Sequence, residues 1–432
     1  MYLERLIDYE KLTHYNYKSA YSLERVEELL ELLGNPHKRF PSVVISGTKG
    51  KGSTAAILAS ILTAAGRKTG LFTSPHLVSL RERIKIGTSP ISAGQFKKNL
   101  SLIKNAVEAS GLKGLTFFEV LTGAAFLYFA DRKIDVAVLE VGLGGRLDAV
   151  NVVDQILSVM TPISYDHTQL LGKSIRAIAK EKCGIVKRAV PLVSAPQTEE
   201  AEQVIRSAAV RKGSELFFTG EDIDYKNLKI SASGTSFDAR IGRRRYKDLH
   251  MPLIGRHQAE NALAAITAAG IAGERSGLKI RESDVRNGLS RVKLAGRFQI
   301  FSKGPYLILD GAHNRASAQA LSDTFKRLFG KVSVLVFGIS SDKDIEGVAR
   351  ILCPLADSVI FTNADSQRAE PGAALARRLK GFCRDCYTAP DIKDALTFAK
   401  AISGMKDVIL VTGSFFLVGE ALKHLGAKTG KL

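Results

Sequence analysis

Residues 42–54 constrain this chain more than any other stretch. Residues 42–46 read SVVIS, a short β-branched run suited to a buried strand. Gly47, Thr48, Lys49, Gly50, Lys51, Gly52, Ser53 and Thr54 follow at once, and residues 53–65 then carry apolar side chains at helical spacing. A strand running through a glycine turn into a helix is the context that a phosphate-binding loop requires. Glycines let backbone N–H groups approach an anion, the helix N-terminus favours negative charge, and Lys51 adds a point charge. The spacing is not G-x-x-x-x-G-K-[ST]: Ile45 stands at the first Gly position, and Gly52 follows the lysine. A plain glycine turn is the competing reading, and it leaves Lys51 without a reason.

The same alternation recurs along the chain. The spacing predicts a helix over 23–33 stopped by Gly34 and Pro36, strands over 134–139, 156–160 and 190–194, and helices over 118–130, 175–185 and 199–212. Residues 225–251 are short, polar and basic, and read as a small antiparallel excursion. Near Gly296 the pattern restarts, with strands over 306–309, 332–337, 358–361 and 408–411 and helices over 316–329, 345–352 and 373–379. A chain of 432 residues exceeds the usual single-domain range. The expected fold is α/β: a large mainly parallel sheet with a phosphate loop over residues 1–295, then a smaller Rossmann-like α/β domain over 296–432.

Lys plus Arg total 62 against 43 acidic residues, a formal charge of +19. That excess attracts anions. No zinc-finger spacing, RNP-type aromatic motif or basic tail accompanies it, and the basic residues are scattered through periodic segments. Small polyanionic substrates therefore rank ahead of nucleic acid. No apolar run reaches the ~18 residues that suggest a membrane span. Residues 1–12 mix Glu4, Arg5, Asp8, Glu10 and Lys11 among apolar residues, unlike a secretory or transit peptide, so a cytoplasmic location is expected. Cys183 and Cys353 stand alone, and Cys383-x-x-Cys386 lacks a second ligand pair, so reduced thiols are expected.

Single residues follow from their places in this pattern. Glu140 ends a buried run before a glycine-rich turn, a natural position for holding Mg²⁺, with an ion pair to Arg146 as the alternative. Asp310 ends a strand, where a carboxylate can accept ribose hydroxyls. Arg297 lies at the junction between the two units and could reach a transferring phosphate when they close. Phe117 and Phe118 could stack on a flat ring, although their spacing suits core positions better.

The glycine loop closely resembles that of the folylpolyglutamate synthase and dihydrofolate synthase family, within the Mur ligase superfamily. The family's further motifs occur in order: Thr73-Ser74-Pro75-His76-Leu77, Arg81-Glu82-Arg83-Ile84, Thr116-Phe117-Phe118-Glu119, the run Glu140 to Asn151 (EVGLGGRLDAVN), Asp166-His167, Glu181-Lys182-Cys183-Gly184, His257 to Ala262 (HQAENA), Gly296-Arg297 and Asp310-Gly311-Ala312-His313-Asn314. The resemblance spans essentially the whole chain.

It implies an ATP-dependent amide ligase that adds L-glutamate to folates, and in many bacterial relatives also to dihydropteroate. Ser74, Glu140 and His167 would bind metal. Lys182 would be carbamylated and support a second Mg²⁺, which demands a depressed lysine pKa. His257, Asn261, Arg297, Asp310 and His313 would surround the nucleotide, with Lys51, Lys182, Arg297 and His313 as the catalytic group. Thr116, Phe117, Phe118 and Glu119, with Leu147, Asp148, Ala149 and the segment before Leu23, would take the pterin. A carboxylate would attack the γ-phosphate, and the glutamate amine would then displace phosphate from the acyl phosphate. A monomer without nucleic-acid or membrane partners is expected.

Three positions depart from the commoner bacterial pattern: Lys49 replaces Asn, and Ala295 and Arg315 replace Pro. A peptidoglycan Mur ligase would carry a nucleotide-sugar domain before the loop, for which residues 1–46 are too short. The rival of another class is a P-loop regulatory or nucleic-acid-stimulated NTPase.

Overall fold

The computed structural model describes residues 2–12, 21–220 and 223–426. Eleven strands precede residue 252: β1 (Ser42–Ser46), β2 (Thr69–Phe72), β3 (Ile84–Ile86), β4 (Ser89–Pro90), β5 (Val136–Glu140), β6 (Leu157–Met160), β7 (Leu192–Ser194), β8 (Leu216–Phe218), β9 (Ile223–Ser231), β10 (Gly234–Ile241) and β11 (Arg244–Met251). The first eight form one sheet in the order β4-β3-β2-β5-β1-β6-β7-β8. From β2 to β8 every pairing is parallel, and β3 and β4 add an antiparallel edge.

Helices cover both faces, which is why β1 and β5 read as unbroken apolar runs rather than alternating ones. Val44, Ala137 and Leu139 point into one core with the helices Leu23–Leu32 and Phe117–Asp131. Val43, Ile45 and Val138 point into the other, with the helices Lys51–Ala64, Arg256–Arg275 and Glu282–Arg291. The antiparallel excursion is a three-stranded sheet, β11-β10-β9, which lays Phe237, Leu249 and Met251 on that second core.

Six more strands follow: β12 (Gln299–Ser302), β13 (Tyr306–Leu309), β14 (Val332–Phe337), β15 (Ala356–Phe361), β16 (Asp385–Thr388) and β17 (Val408–Thr412). Their order is β12-β13-β17-β14-β15-β16, all parallel except β12 against β13. No helix among the described residues is long and apolar enough to cross a membrane.

Ligands in open α/β sheets bind beyond the carboxyl ends of the strands. Here the loops that leave β1, β2, β5 and β6 line the same cleft as the loops that leave β13, β14, β15 and β17. The site is made where the two sheets meet.

Candidate active site

Gly50 caps the helix Lys51–Ala64 with φ 84°, a left-handed conformation that a side chain disfavours. The first turn of that helix meets Glu140. A Cβ on Gly52 would lie 3.3 Å from Glu140 Oε2, so glycine lets the carboxylate approach the loop. Ser74 N donates to the same Oε2 at 3.0 Å. Burial raises the Glu140 pKa, against the lowering fields of Lys51 and Arg297. Arg146, the alternative partner of Glu140, instead meets Glu181, with Nε at 3.2 Å.

Lys182 ends the helix Ile175–Lys182 and is buried, and its Nζ donates to Gly47 O at 2.7 Å. Burial, then the charge of Lys51, pushes its pKa from 10.5 down to about 7. His167 holds a left-handed backbone (φ 49°), and burial followed by Lys343 pushes its pKa down to about 3, so the imidazole is neutral and free to ligate.

Glu140, Ser74 and His167 together offer oxygen and imidazole donors beside the loop. No three His, Cys, Asp or Glu side chains among the described residues converge tightly enough to hold an ion unaided. That donor set fits Mg²⁺, which takes few protein ligands and completes its octahedron with phosphate oxygens and water.

The C-terminal sheet supplies the opposite wall. Asp310 follows β13, and its two oxygens accept the N–H groups of Phe298 (2.7 Å) and Ala312 (2.8 Å), which fixes the carboxylate. Arg297 is seated 4.0 Å over the Phe415 ring. His313 Nδ1 donates to Gly311 O at 2.8 Å, so the neutral ring carries no proton on Nε2, which lies 3.9 Å from Asp166 Oδ2. Burial pushes His313 and His257 down to about 4. Asn261 bonds Gln258 at 3.2 Å and abuts the loop at Gly50.

The cleft encloses about 840 Å³ and gathers Gly47, Thr48, Lys49, Gly50, Lys51, Gly52, Ser53, Ser74, Thr116, Phe118, Glu140, Asp148, His167, Lys182, His257, Asn261, Arg297, Asp310 and His313. Five expected residues, Thr54, Phe117, Glu119, Leu147 and Ala149, stand outside its lining. Thr54 is buried one helical turn in. Phe117 lies in the core beneath the Arg83 guanidinium, 5.5 Å away, so Phe118 alone of the pair reaches the cleft. Leu147 and Ala149 pack on the same core. Glu119 closes a capping box with Thr116, whose N–H lies 2.7 Å from Oε2, and pairs with Arg25 at 2.8 Å. Its carboxylate builds the helix start and does not face the cleft.

Asp148 lines the cleft, yet its oxygens accept Leu143 N (2.9 Å) and Val150 N (3.0 Å), and burial raises its pKa to about 6. Of the N-terminal segment expected at the pterin, residues 13–20 lie outside the described residues.

Several site residues were missed from sequence. Lys343, in the loop after β14, bonds Asp166 Oδ1 at 2.9 Å, and Asn314 Nδ2 reaches Asp166 Oδ2 at 3.2 Å. Asp166 lay beside His167 in a quoted motif, whereas Lys343 had no local signal. Burial would raise the Asp166 pKa, but His167, Lys343 and His313 together hold it below the usual carboxylate range.

A parallel-sheet phosphate loop facing a second sheet that carries a nucleotide-type carboxylate and arginine defines a Mur-type ligase. The chain matches the Mur ligase middle domain over residues 45–269 and the Mur ligase glutamate ligase domain over 296–415. It is 33% identical over 417 residues to dihydrofolate synthase/folylpolyglutamate synthase of Bacillus subtilis, covering 93% of this chain and 94% of the relative. Among solved structures it resembles Mycobacterium tuberculosis folylpolyglutamate synthase complexed with ADP and AMPPCP: TM-score 0.88, 34% identity, 95% of this chain and 96% of that one. It also resembles E. coli FolC in complex with DHPP and ADP: TM-score 0.87, 32% identity, 99% and 96%. The chain belongs to the dihydrofolate synthase/folylpolyglutamate synthase family of ATP-dependent ligases.

Proposed function

We propose that this cleft uses ATP to phosphorylate a carboxylate of a folate or of dihydropteroate and then joins L-glutamate to it as an amide. Residues 1–295 hold nucleotide and acceptor, and residues 296–432 form the glutamate side. The observation that carries this reading is the meeting of the Gly47-to-Ser53 loop, Lys51 and Glu140 with Arg297 and Asp310 in one cleft.

Backbone N–H groups of the glycine turn and Lys51 Nζ grip the triphosphate, and Asp310 accepts the ribose hydroxyls. Arg297, fixed on Phe415, offsets charge as the acceptor carboxylate meets the γ-phosphate. Phe118 and Thr116 present the acceptor wall. The glutamate amine attacks the acyl phosphate and expels phosphate, and His313 Nε2 is the proton acceptor on that wall. Mg²⁺ at Glu140, Ser74 and His167, with a second ion beside Lys182, would neutralise phosphate oxygens. Neutral Lys182 Nζ captures CO₂, forming an N–C bond and releasing one proton, which turns a neutral amine into an anionic oxygen donor. We place the reaction in the cytoplasm, in a monomer, where the four free cysteines stay reduced.

The test incubates pure protein with ATP, Mg²⁺, labelled glutamate and either dihydropteroate or a reduced folate. Label enters product only when all components are present, and EDTA stops it. ATP turnover that ignores glutamate, or that rises with nucleic acid, would establish the NTPase alternative instead.

A further inference from the structure

We infer that Arg368 and Glu10 are positioning residues that clamp the N-terminal segment along the acceptor side of the cleft, making the acceptor pocket depend on docking of the C-terminal sheet. The inference deepens the ligase reading and rests on it. Asp8, Tyr9, Glu10 and Leu12 all line the cleft, and three fastenings hold this strap.

The first ties it to the acceptor wall: Phe117 N donates to Ile7 O at 3.0 Å, beside an Ile7–Thr116 bridge. The second is an ion pair. Arg83, only 1% exposed, sends Nη1 and Nη2 to the two Glu10 carboxylate oxygens at 2.7 and 2.6 Å, and Nε to His76 Nδ1 at 3.0 Å. A forked guanidinium–carboxylate pair is among the stronger polar contacts. If the strap lifted away, it would strand a buried cation.

The third fastening crosses between the sheets. Arg368, in the loop after β15, donates Nη1 to Glu10 O at 2.6 Å. Its Nε meets Asp342 Oδ1 at 3.1 Å. Asp342 lies in the loop after β14, and the two loops are joined by Ser341 N donating to Arg368 O at 2.7 Å. The next residue, Lys343, grips Asp166 across the same cleft. One pair of C-terminal loops thus holds the strap at one end and the neighbour of His167 at the other.

The Arg368–Glu10 bond exists only when the sheets are docked, so strap order and docking share one equilibrium. Whatever favours one favours the other by the same factor. An acceptor bound against the strap is therefore held more tightly when the sheets are docked.

The experiment compares wild type with Arg368→Ala, Arg368→Lys, Glu10→Gln and the Glu10→Gln/Arg368→Ala double variant. For Arg368→Ala the acceptor KM rises about ten-fold, kcat stays within about two-fold, and affinity for a non-hydrolysable ATP analogue is unchanged. Arg368→Lys recovers part of the loss. The double variant loses less than the product of the single losses, because both changes loosen one strap. Hydrogen exchange at the Glu10 and Lys11 amides is slowed by acceptor in wild type and not in Arg368→Ala. An acceptor KM that does not move, or that rises in step with the ATP KM, overturns the clamp. A wild type whose ATP turnover ignores the acceptor overturns the ligase reading as well, so the two failures are distinguishable.

Discussion

Replacing Lys182 with Met keeps most of the side-chain volume and removes a charge that the fold tolerates poorly. Burial and Lys51 bring this lysine from 10.5 to about 7. The unfolded chain keeps the proton up to its ordinary value, whereas the folded chain gives it up near neutrality. Stability therefore rises with pH across that window, and the burden is complete below pH 7. At about 1.4 kcal/mol per pKa unit, the burden is about 4 kcal/mol at pH 7 and about 2 kcal/mol at pH 9. Met also abandons the bond to Gly47 O, which costs about 1–2 kcal/mol at either pH.

The expected balance is a variant about 2–3 kcal/mol more stable than wild type at pH 7 and nearly equal to it at pH 9, with ligation reduced by about 10²–10³-fold. Urea unfolding followed by circular dichroism, in CO₂-free buffers without nucleotide, measures the first. Initial-rate ligation measures the second. A variant less stable than wild type at pH 7, or one with the same advantage at both pH values, would refute the electrostatic argument. Ligation at the wild-type rate would remove the carbamate. Added bicarbonate should stabilise wild type more than the variant, because the variant lacks the Lys182 amine that takes up CO₂.

Other expectations follow from neighbouring side chains. Lys51→Ala abolishes ligation while circular dichroism and the unfolding midpoint stay near wild type, and an unchanged turnover rate would remove the phosphate-loop assignment. Glu119→Gln weakens the pairing with Arg25 and the helix cap, lowering stability by about 1–2 kcal/mol with the acceptor KM unchanged; a raised KM with normal stability would return Glu119 to the substrate site. Burial, aided by nearby cations, holds His257 and His313 at about 4, so kcat/KM shows no histidine limb between pH 5.5 and 7.5. A bend near 6.5 that disappears in His313→Asn would contradict this.

Local chemistry made much of this legible in advance. SVVIS before the glycines could only be buried on both sides, and the strand Ser42–Ser46 follows the predicted span. Glu140 and Asp310 were readable because a carboxylate at the end of an apolar run has few other purposes. The strands β2 (TGLF) and β16 (DCYT) escaped notice because neither carries an apolar alternation long enough to separate from loop. Within Thr116-Phe117-Phe118-Glu119 the side chains part company. Helical geometry turns consecutive side chains about 100° apart, so one phenylalanine meets the cleft while its neighbour enters the core. The pairs Lys343–Asp166 and Arg368–Glu10 join residues 177 and 358 positions apart, and only the meeting of two sheets brings them together.

On the proposed reading, the charge that the reaction needs is divided between the two sheets, so that neither would be a catalyst by itself. The N-terminal edge would grip a triphosphate with Lys51 and with the metal ions that Glu140 and Lys182 would hold, but the approach of an acceptor carboxylate brings two anions together. The cations that offset this, Arg297 and Lys343, belong to the other sheet. Arg297 lies against Phe415 and acts on both Asp310 and Glu140. Lys343 bonds Asp166 next to His167. A site split in this way leaves phosphoryl transfer to water unassisted until the sheets dock, because the charge that would stabilise it is absent while the cleft is open. Burial in the closed cleft, with its lysines and arginines, keeps the imidazoles of His167, His257 and His313 neutral, so the positive field rests on groups such as Lys51 and Arg297. On the proposed reading the histidines add no charge to that field, and docking brings its two halves together.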